Sequence, residues 1–360
     1  MRIFVFGSSL VSSYWNGAAT YYRGVYKNLA RLGHEVTFAE PDAYSRQQHR
    51  DEADFSYARS IVYQSPADID GLLREARGAD LVVKHSGIGV DDALLEQRVL
   101  ECASPTTRVA FWDVDAPATL ARVESDPVDP FRKLVPQYDF IFTYGGGPAV
   151  VAHYKELGAR ECRPIYNALD PETHYPVAAD PELRCDLVLV ANRLPDRERR
   201  VEHFFLRAAE LAPEARFVLG GEGWGTKKLP PNVHWIGHVR TEDHNRVNCS
   251  ARMVLNINRD SMADVGFSPP TRIFEAAGAA SCVITDAWRG IETFFRPGEE
   301  IVVATSAEEV VYHLRHMPVE WSRVTGQAMR RRALLEHTYD QRAREVEAIL
   351  EAPQAVGEVA

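Results

Sequence analysis

The segment GFSPPTRIFEAAGAASCVITD, from Gly266 to Asp286, sets Arg272 and Glu275 three residues apart behind a loop of Gly266, Phe267, Ser268 and Pro269. Pro270 suits the start of a helix, so both side chains fall on its opening turns. Free backbone N–H groups at a helix start, together with a guanidinium, suit a phosphate. An ionised carboxylate one turn further in has lone pairs for both hydroxyls of a vicinal diol such as a ribose. A plain surface Arg/Glu pair on a capped helix has the same spacing, and spacing alone does not separate the two readings. A second cationic run, ANRLPDRERR, supplies Arg193, Arg197 and Arg199 just after a β-rich stretch. Positive charge at a helix start opposes the macrodipole, and a bound anion would relieve that conflict.

In the first half the candidates stand at the ends of β-rich runs. Gly7, Ser8 and Ser9, then Asn16 and Gly17, follow the first run and bracket the entry to a helix. The dinucleotide fingerprint GxGxxG is absent there, which weakens a hydride-transfer reading. His85 in KHSGIG stands just after a strand, where an imidazole serves as a base or as a hydrogen-bonding group, although a structural histidine in a glycine turn reads the same way. Asp113 in FWDVDAP ends another strand and is a candidate base or hydroxyl ligand, whereas Asp115 before Ala116 and Pro117 makes a good helix N-cap. Tyr144 and Gly145 in TYGGGP are candidates to line a cleft, although glycines there would equally serve a tight turn. Core packing is the more usual fate of aromatics such as Tyr14, Trp15, Tyr21 and Tyr22, and of these only the loop residues Tyr14 and Trp15 are candidates for stacking on a sugar. GGEGWGTKK lacks the GxxxxGK[ST] spacing of a phosphate loop.

These residues need scaffolds, and the pattern supplies two. RIFVF, EVTFAE, IVY, DLVVK, TRVAFW and DFIFTY alternate with helical-length segments, the first of them from Gly17 to Leu32, which is the rhythm of a parallel sheet covered by helices. A second series runs from DLVLVA near Cys185 through RRVEHFFLRAAELA, RFVLGG, NVHWIG, EDHNRVNCSA, MVLNIN, TRIFEAAGAA, SCVITD and EIVVA. Between them PIYNALDPETHYPVAADPEL is proline-rich and lacks apolar periodicity, as a hinge does. The expected division is 1–166, a hinge at 167–182, 183–337, a helix at 338–351 that crosses back to the first domain, and a frayed tail at 352–360. Open α/β sheets bind ligands at the carboxyl ends of their strands, so two facing sheets make one cleft.

A length of 360 residues favours two domains. Lys and Arg number 41 against 51 Asp and Glu, a net charge of −10, which argues against nucleic acid as the main partner. The five cysteines are scattered without metal-ligand spacing and read as reduced and cytoplasmic. The apolar stretch at the N-terminus is too short to span a membrane. Oligomeric state is not encoded in these patterns.

Together, GFSPPTRIFEAAGAASCVITD, NALDPETHYP and IETFFRPGEEIVVATSAEEV resemble the C-terminal domain of GT-B fold glycosyltransferases, nearest the CgeB-like (spore-maturation-type) branch. The first half is similar more loosely, through NGAATYYRGVYKNLARLGHEVTFAEPD, FWDVDAP and TYGGGP. The resemblance implies two Rossmann-like domains, a nucleotide-diphosphate sugar (UDP-, GDP- or dTDP-linked) held mainly by the second, and a hydroxyl acceptor on a glycan, small molecule or protein held mainly by the first. It matches Glu275 to a ribose-binding glutamate, and Arg272 with Gly266 to Pro269 to the stretch near the donor phosphates and sugar. Arg193 matches the first diphosphate cation and Arg197 or Arg199 the second, while Gly237 and His238 fall where the base is contacted. A glutamate common eight residues before the ribose glutamate is Phe267 here, with Asp264 as the candidate replacement. The Asp113/Asp115 spacing copies a metal-binding motif of the other glycosyltransferase fold class, but the two-sheet organisation contradicts that class. No metal and no tightly bound cofactor are expected. The competing functions are a nucleotide-sugar epimerase of the same fold and a non-catalytic nucleotide- or sugar-binding protein.

Overall fold

The computed structural model describes residues 1–51 and 55–352; the expected tail lies, from 353 onward, outside the described residues. The first sheet holds β1 (Arg2–Phe6), β2 (Glu35–Pro41), β3 (Arg59–Tyr63), β4 (Leu81–His85), β5 (Arg108–Asp113), β6 (Phe140–Thr143) and β7 (Cys162–Pro164). Its strand order is β3-β2-β1-β4-β5-β6-β7, with every pairing parallel. The second sheet holds β8 (Cys185–Val190), β9 (Phe217–Gly220), β10 (Val233–Trp235), β11 (Ala251–Asn256), β12 (Val283–Asp286) and β13 (Val302–Ala304). Its order is β10-β9-β8-β11-β12-β13, again all parallel.

Strand order reverses between β1 and β4 in one sheet and between β8 and β11 in the other, and a crevice opens at such switch points. The strands read as continuous apolar runs because helices cover both faces, so each sheet has a core on either side. Departures from the expected elements are local, and include short helices at Phe131–Leu134 and Asp260–Val265. Strand β7 has three residues, too few for a pattern, and the helix starting at Pro195 carries a π-turn at Glu202–Leu206.

After β7 the chain leaves the first sheet, and it returns through the helix Tyr339–Glu351, whose Tyr339, Ala343, Val346 and Leu350 join one core with Tyr21, Val25 and Leu29 of the helix Ala19–Arg31, the Tyr339 ring lying against Tyr21. Gly24 makes this contact possible, since a Cβ there would stand 2.2 Å from the Tyr339 ring. The two crossings run side by side: Leu169 N donates to His337 O at 2.8 Å and Tyr339 N to Leu169 O at 3.0 Å. All five cysteines are free, and no helix among the described residues is long and apolar enough to cross a membrane.

Candidate active site

A cavity of ≈ 350 Å³ lies between the carboxyl ends of the two sheets. The loops after β1 and β6 bring Trp15, Asn16, Gly17 and Tyr144, while those after β8, β9 and β11 and the helix Thr271–Gly278 bring Asn192, Gly221, Arg259, Arg272 and Glu275. Arg197, from the first turns of the helix Pro195–Val201, and His238 complete the lining relevant here.

Three guanidinium groups converge on this cavity, and they are not equivalent. Arg259 is fully engaged: it donates to Asp196 Oδ2 at 2.5 Å and, across the interface between the sheets, to Asp115 Oδ2 at 2.9 Å. Arg197 and Arg272 are half-buried, and no carboxylate among the described residues hydrogen-bonds to either; the Arg197 Nε has no partner at all. Burial, reinforced by the Arg272 and Arg259 charges, brings Arg197 down to about 9, and burial lowers Arg272 as well. Two desolvated cations without a hydrogen-bonded carboxylate are costly, and an anion bound between them would offset that cost.

Glu275 faces the same cavity. Burial works to raise its carboxyl, but His244, His174 and Arg272 outweigh it and hold it below its usual range, so the group is an anion ready to accept hydrogen bonds. On the opposite wall the loop after β1 is held rigid by its own polar groups. Asn16 takes the Ser8 hydroxyl at 3.0 Å and donates to Ser9 O and Ser12 O. The fully buried Glu40 carboxylate accepts from Ser9 Oγ and Leu10 N, and Arg46 donates to Ser8 O.

Of the residues singled out in the sequence, Trp15, Asn16, Gly17, Tyr144, Arg197, His238, Arg272 and Glu275 meet at the cavity. Others are placed elsewhere. Ser8 and Ser9 brace the loop from beneath, and Gly7 is buried where a Cβ would stand 2.2 Å from the Phe38 ring. His85 is no cleft-edge base: it is fully buried among Tyr22, Tyr26 and Trp112, its Nε2 2.5 Å from the Tyr26 hydroxyl, and burial drives its pKa well down, which leaves it neutral. Asp113 is likewise enclosed, accepting from Ser86 Oγ, Thr119 Oγ1, Tyr154 OH and Asp115 N; it ties β5 to its neighbours, is fully buried and does not line the cavity. Asp115 stands at the N-cap position, yet its carboxylate serves Arg259 rather than the helix.

The glycine loops have a related fate. A Cβ on Gly145 would stand 2.7 Å from Ser268 Oγ, and one on Gly147 2.6 Å from Phe267 Cβ, while Gly146 N donates to Phe267 O at 2.9 Å. TYGGGP and the Gly266–Pro269 loop therefore pack on each other, and Asn167 adds a bond from its Nδ2 to Pro269 O at 2.8 Å. Gly266, Phe267, Ser268, Pro269 and Gly145 thus form the seam beside the cavity rather than its wall. Arg193 is occupied by Glu198 and Thr226, and Arg199 and Asp264 point to solvent, so none of the three lines the cavity. Gly237 lends its carbonyl to Gly221 N at 2.7 Å. Asn167, Asn192, His244 and Arg259 line the cavity without having been singled out; the loop position of Arg259 after a strand was the one available signal.

Two all-parallel Rossmann-like sheets facing across a cleft, with a last helix returned to the first sheet, constitute the GT-B architecture. Residues 197–348 match the family described as Glycosyl transferase-like. Similar solved structures include an alpha-glucosyltransferase in complex with UDP-glucose and DNA containing an abasic site (TM-score 0.73, 12% identity, covering 98% of this chain and 100% of that one). HepE of Anabaena in complex with UDP-glucose matches with a TM-score of 0.69 and 12% identity over 97% and 99% of the two chains. Sucrose-phosphate synthase from Thermosynechococcus elongatus matches with a TM-score of 0.66 and 14% identity over 97% and 98%. At such identities the likeness is one of fold. A search of curated protein sequences finds no match. One expectation is corrected: two of the similar structures are alpha-glucosyltransferase complexes with DNA, so the net charge of this chain does not exclude a nucleic-acid partner. Charge summed over a surface does not report the field inside a cleft.

Proposed function

We propose that the chain is a glycosyltransferase of the CgeB-like branch, moving a sugar from a nucleoside-diphosphate sugar to an acceptor hydroxyl. One observation carries this reading: Arg197 and Arg272, neither hydrogen-bonded to a carboxylate, share one cavity with the ionised Glu275. A nucleoside diphosphate has the complementary layout, an anionic diphosphate next to a ribose diol. Glu275 accepts from the ribose hydroxyls, and the two guanidiniums stabilise the diphosphate as the bond to the sugar breaks and it leaves with the electron pair. His238 stands toward the base. The acceptor enters from the side of Asn16, Gly17 and Tyr144, whose loop is fixed before any ligand arrives. In this reading residues 1–166 form the acceptor domain, 183–337 the donor domain, 167–182 the hinge and 338–351 the returning helix. The protein acts in the cytoplasm and needs no tightly bound cofactor.

Calorimetric titration with UDP, GDP and dTDP and their sugars tests this. Binding of one nucleoside diphosphate, followed by its release from the sugar donor when an acceptor is added, is the expected result. Absence of binding by every nucleotide tried would overturn the proposal.

A further inference from the structure

His174 is almost fully buried, and its Nε2 has no hydrogen-bond partner. A buried ring nitrogen left without a partner costs about 1–3 kcal/mol and calls for a ligand. The Nδ1 of His244 is also buried and unbonded, and it stands 3.5 Å from Glu275 Oε2. The two imidazole rings lie 5.8 Å apart and within 24° of parallel. One donor atom from each of His174, His244 and Glu275 lies within 4.8 Å of the other two.

The three residues come from three separate elements that are locked together. The Asn245 side chain clamps the segment around His174, donating to Thr173 O at 2.8 Å and accepting from Tyr175 N at 3.2 Å, so the helix Thr241–Ser250 that carries His244 is fixed against it. Gly278 lets the helix of Glu275 press against the same segment, since a Cβ there would stand 2.5 Å from His174 O. Two imidazole nitrogens and one carboxylate oxygen make a donor set for a borderline-soft divalent ion, with a fourth position left open. Tetrahedral coordination at zinc bond lengths sets ligand atoms roughly 3.3 Å apart, so donor atoms now within 4.8 Å of one another must draw closer on binding.

We propose that His174, His244 and Glu275 form a site for Zn2+ or a similar divalent transition ion, and that a bound ion competes with the nucleoside diphosphate for the Glu275 carboxylate. The site stands on its own geometry; the competition rests on the function proposed above. A carboxylate engaged by a cation has less electron density to give a ribose diol, so the loaded protein holds the nucleotide less tightly.

The experiment is a calorimetric titration of the EDTA-stripped, desalted full chain with ZnCl2. It is paired with Co2+ titration followed by visible absorption, in which a four-coordinate site gives intense bands. One ion per chain is expected, weakened at least about tenfold in His174→Gln and in His244→Asn and lost when the two are combined. His244→Asn changes a partly exposed residue and serves as the variant least exposed to a folding defect, checked by its melting temperature. UDP affinity is expected to fall when Zn2+ is present and to be insensitive to Zn2+ in the double variant. No stoichiometric ion in the wild type, or an ion retained by the double variant, would overturn the site. Zn2+ bound at the site with UDP affinity unchanged would overturn the competition. If UDP fails to bind even the stripped protein, the nucleotide reading falls while the ion titration still decides the site.

Discussion

Replacing Arg197 by Gln is expected to raise stability and to lower nucleotide affinity, two effects that common structural damage would not produce together. The guanidinium is brought well down from its ordinary value to about 9, first by burial and then by Arg272 and Arg259. At about 1.4 kcal/mol per unit of pKa this corresponds to a ceiling of roughly 5 kcal/mol of native-state cost in the charged form. At pH 7, below both values, the full cost is present; it shrinks as the pH rises through about 9. Water in the cleft relieves much of it, so Arg197→Gln is expected to stabilise the nucleotide-free protein by roughly 1–2 kcal/mol. Losing a charge-assisted contact to a diphosphate costs about 1.5–3 kcal/mol, roughly 10- to 150-fold in affinity. The assay is denaturant unfolding of both proteins with and without saturating UDP, together with calorimetric affinities. The expected pattern is a higher unfolding midpoint for the variant without ligand and a smaller ligand-induced gain. A variant that is less stable than wild type yet binds UDP equally well would refute the reasoning.

Glu275→Gln replaces a pure acceptor by a group that also donates, and calorimetry should show UDP bound roughly 10- to 100-fold more weakly, with the preference for UDP over 2′,3′-dideoxy-UDP lost. His85→Ala should cost about 2–4 kcal/mol of stability in urea unfolding, because it hollows a packed aromatic cluster, while the pH profile of turnover keeps its shape. His337 donates from Nε2 to Phe294 O and takes Arg342 on Nδ1; burial and then Arg342 bring it from 6.5 down to about 4. Its contribution is therefore whole above pH 6.5 and lost as the pH falls toward 4, up to about 3 kcal/mol, and His337→Gln should flatten the urea midpoint across that window. Gly147→Ala places a Cβ 2.6 Å from Phe267 Cβ at a φ of +50°, so the seam between the sheets should part, read as a larger radius of gyration by X-ray scattering.

Local spacing determined much of this protein. Apolar runs between helical segments define two parallel sheets, because strands covered on both faces are apolar throughout. Arg272 and Glu275 share the first turns of one helix, and Arg197 starts another at a strand's end, so their convergence on a cleft follows from position within single elements. What the tertiary structure alone decided concerns residues whose state is set by remote partners. His85 and Asp113 occupy strand ends as an active-site residue would, but Tyr26, lying 59 positions before His85, and Tyr154, lying 41 after Asp113, enclose them. Arg193 and Arg197 look alike in ANRLPDRERR; one, in the loop before the helix, is paired with Glu198, and the other, in the first turn, hydrogen-bonds to no carboxylate. The glycines of TYGGGP read as a ligand loop and instead admit Phe267 and Ser268, a contact between segments more than a hundred residues apart. Arg259 meets Asp115 only because two separate sheets face each other, and His174 meets His244 and Glu275 only because the hinge segment packs on two helices of the second domain. Burial and charge pairing are properties of the assembled surface, and no spacing along a single strand or helix encodes them.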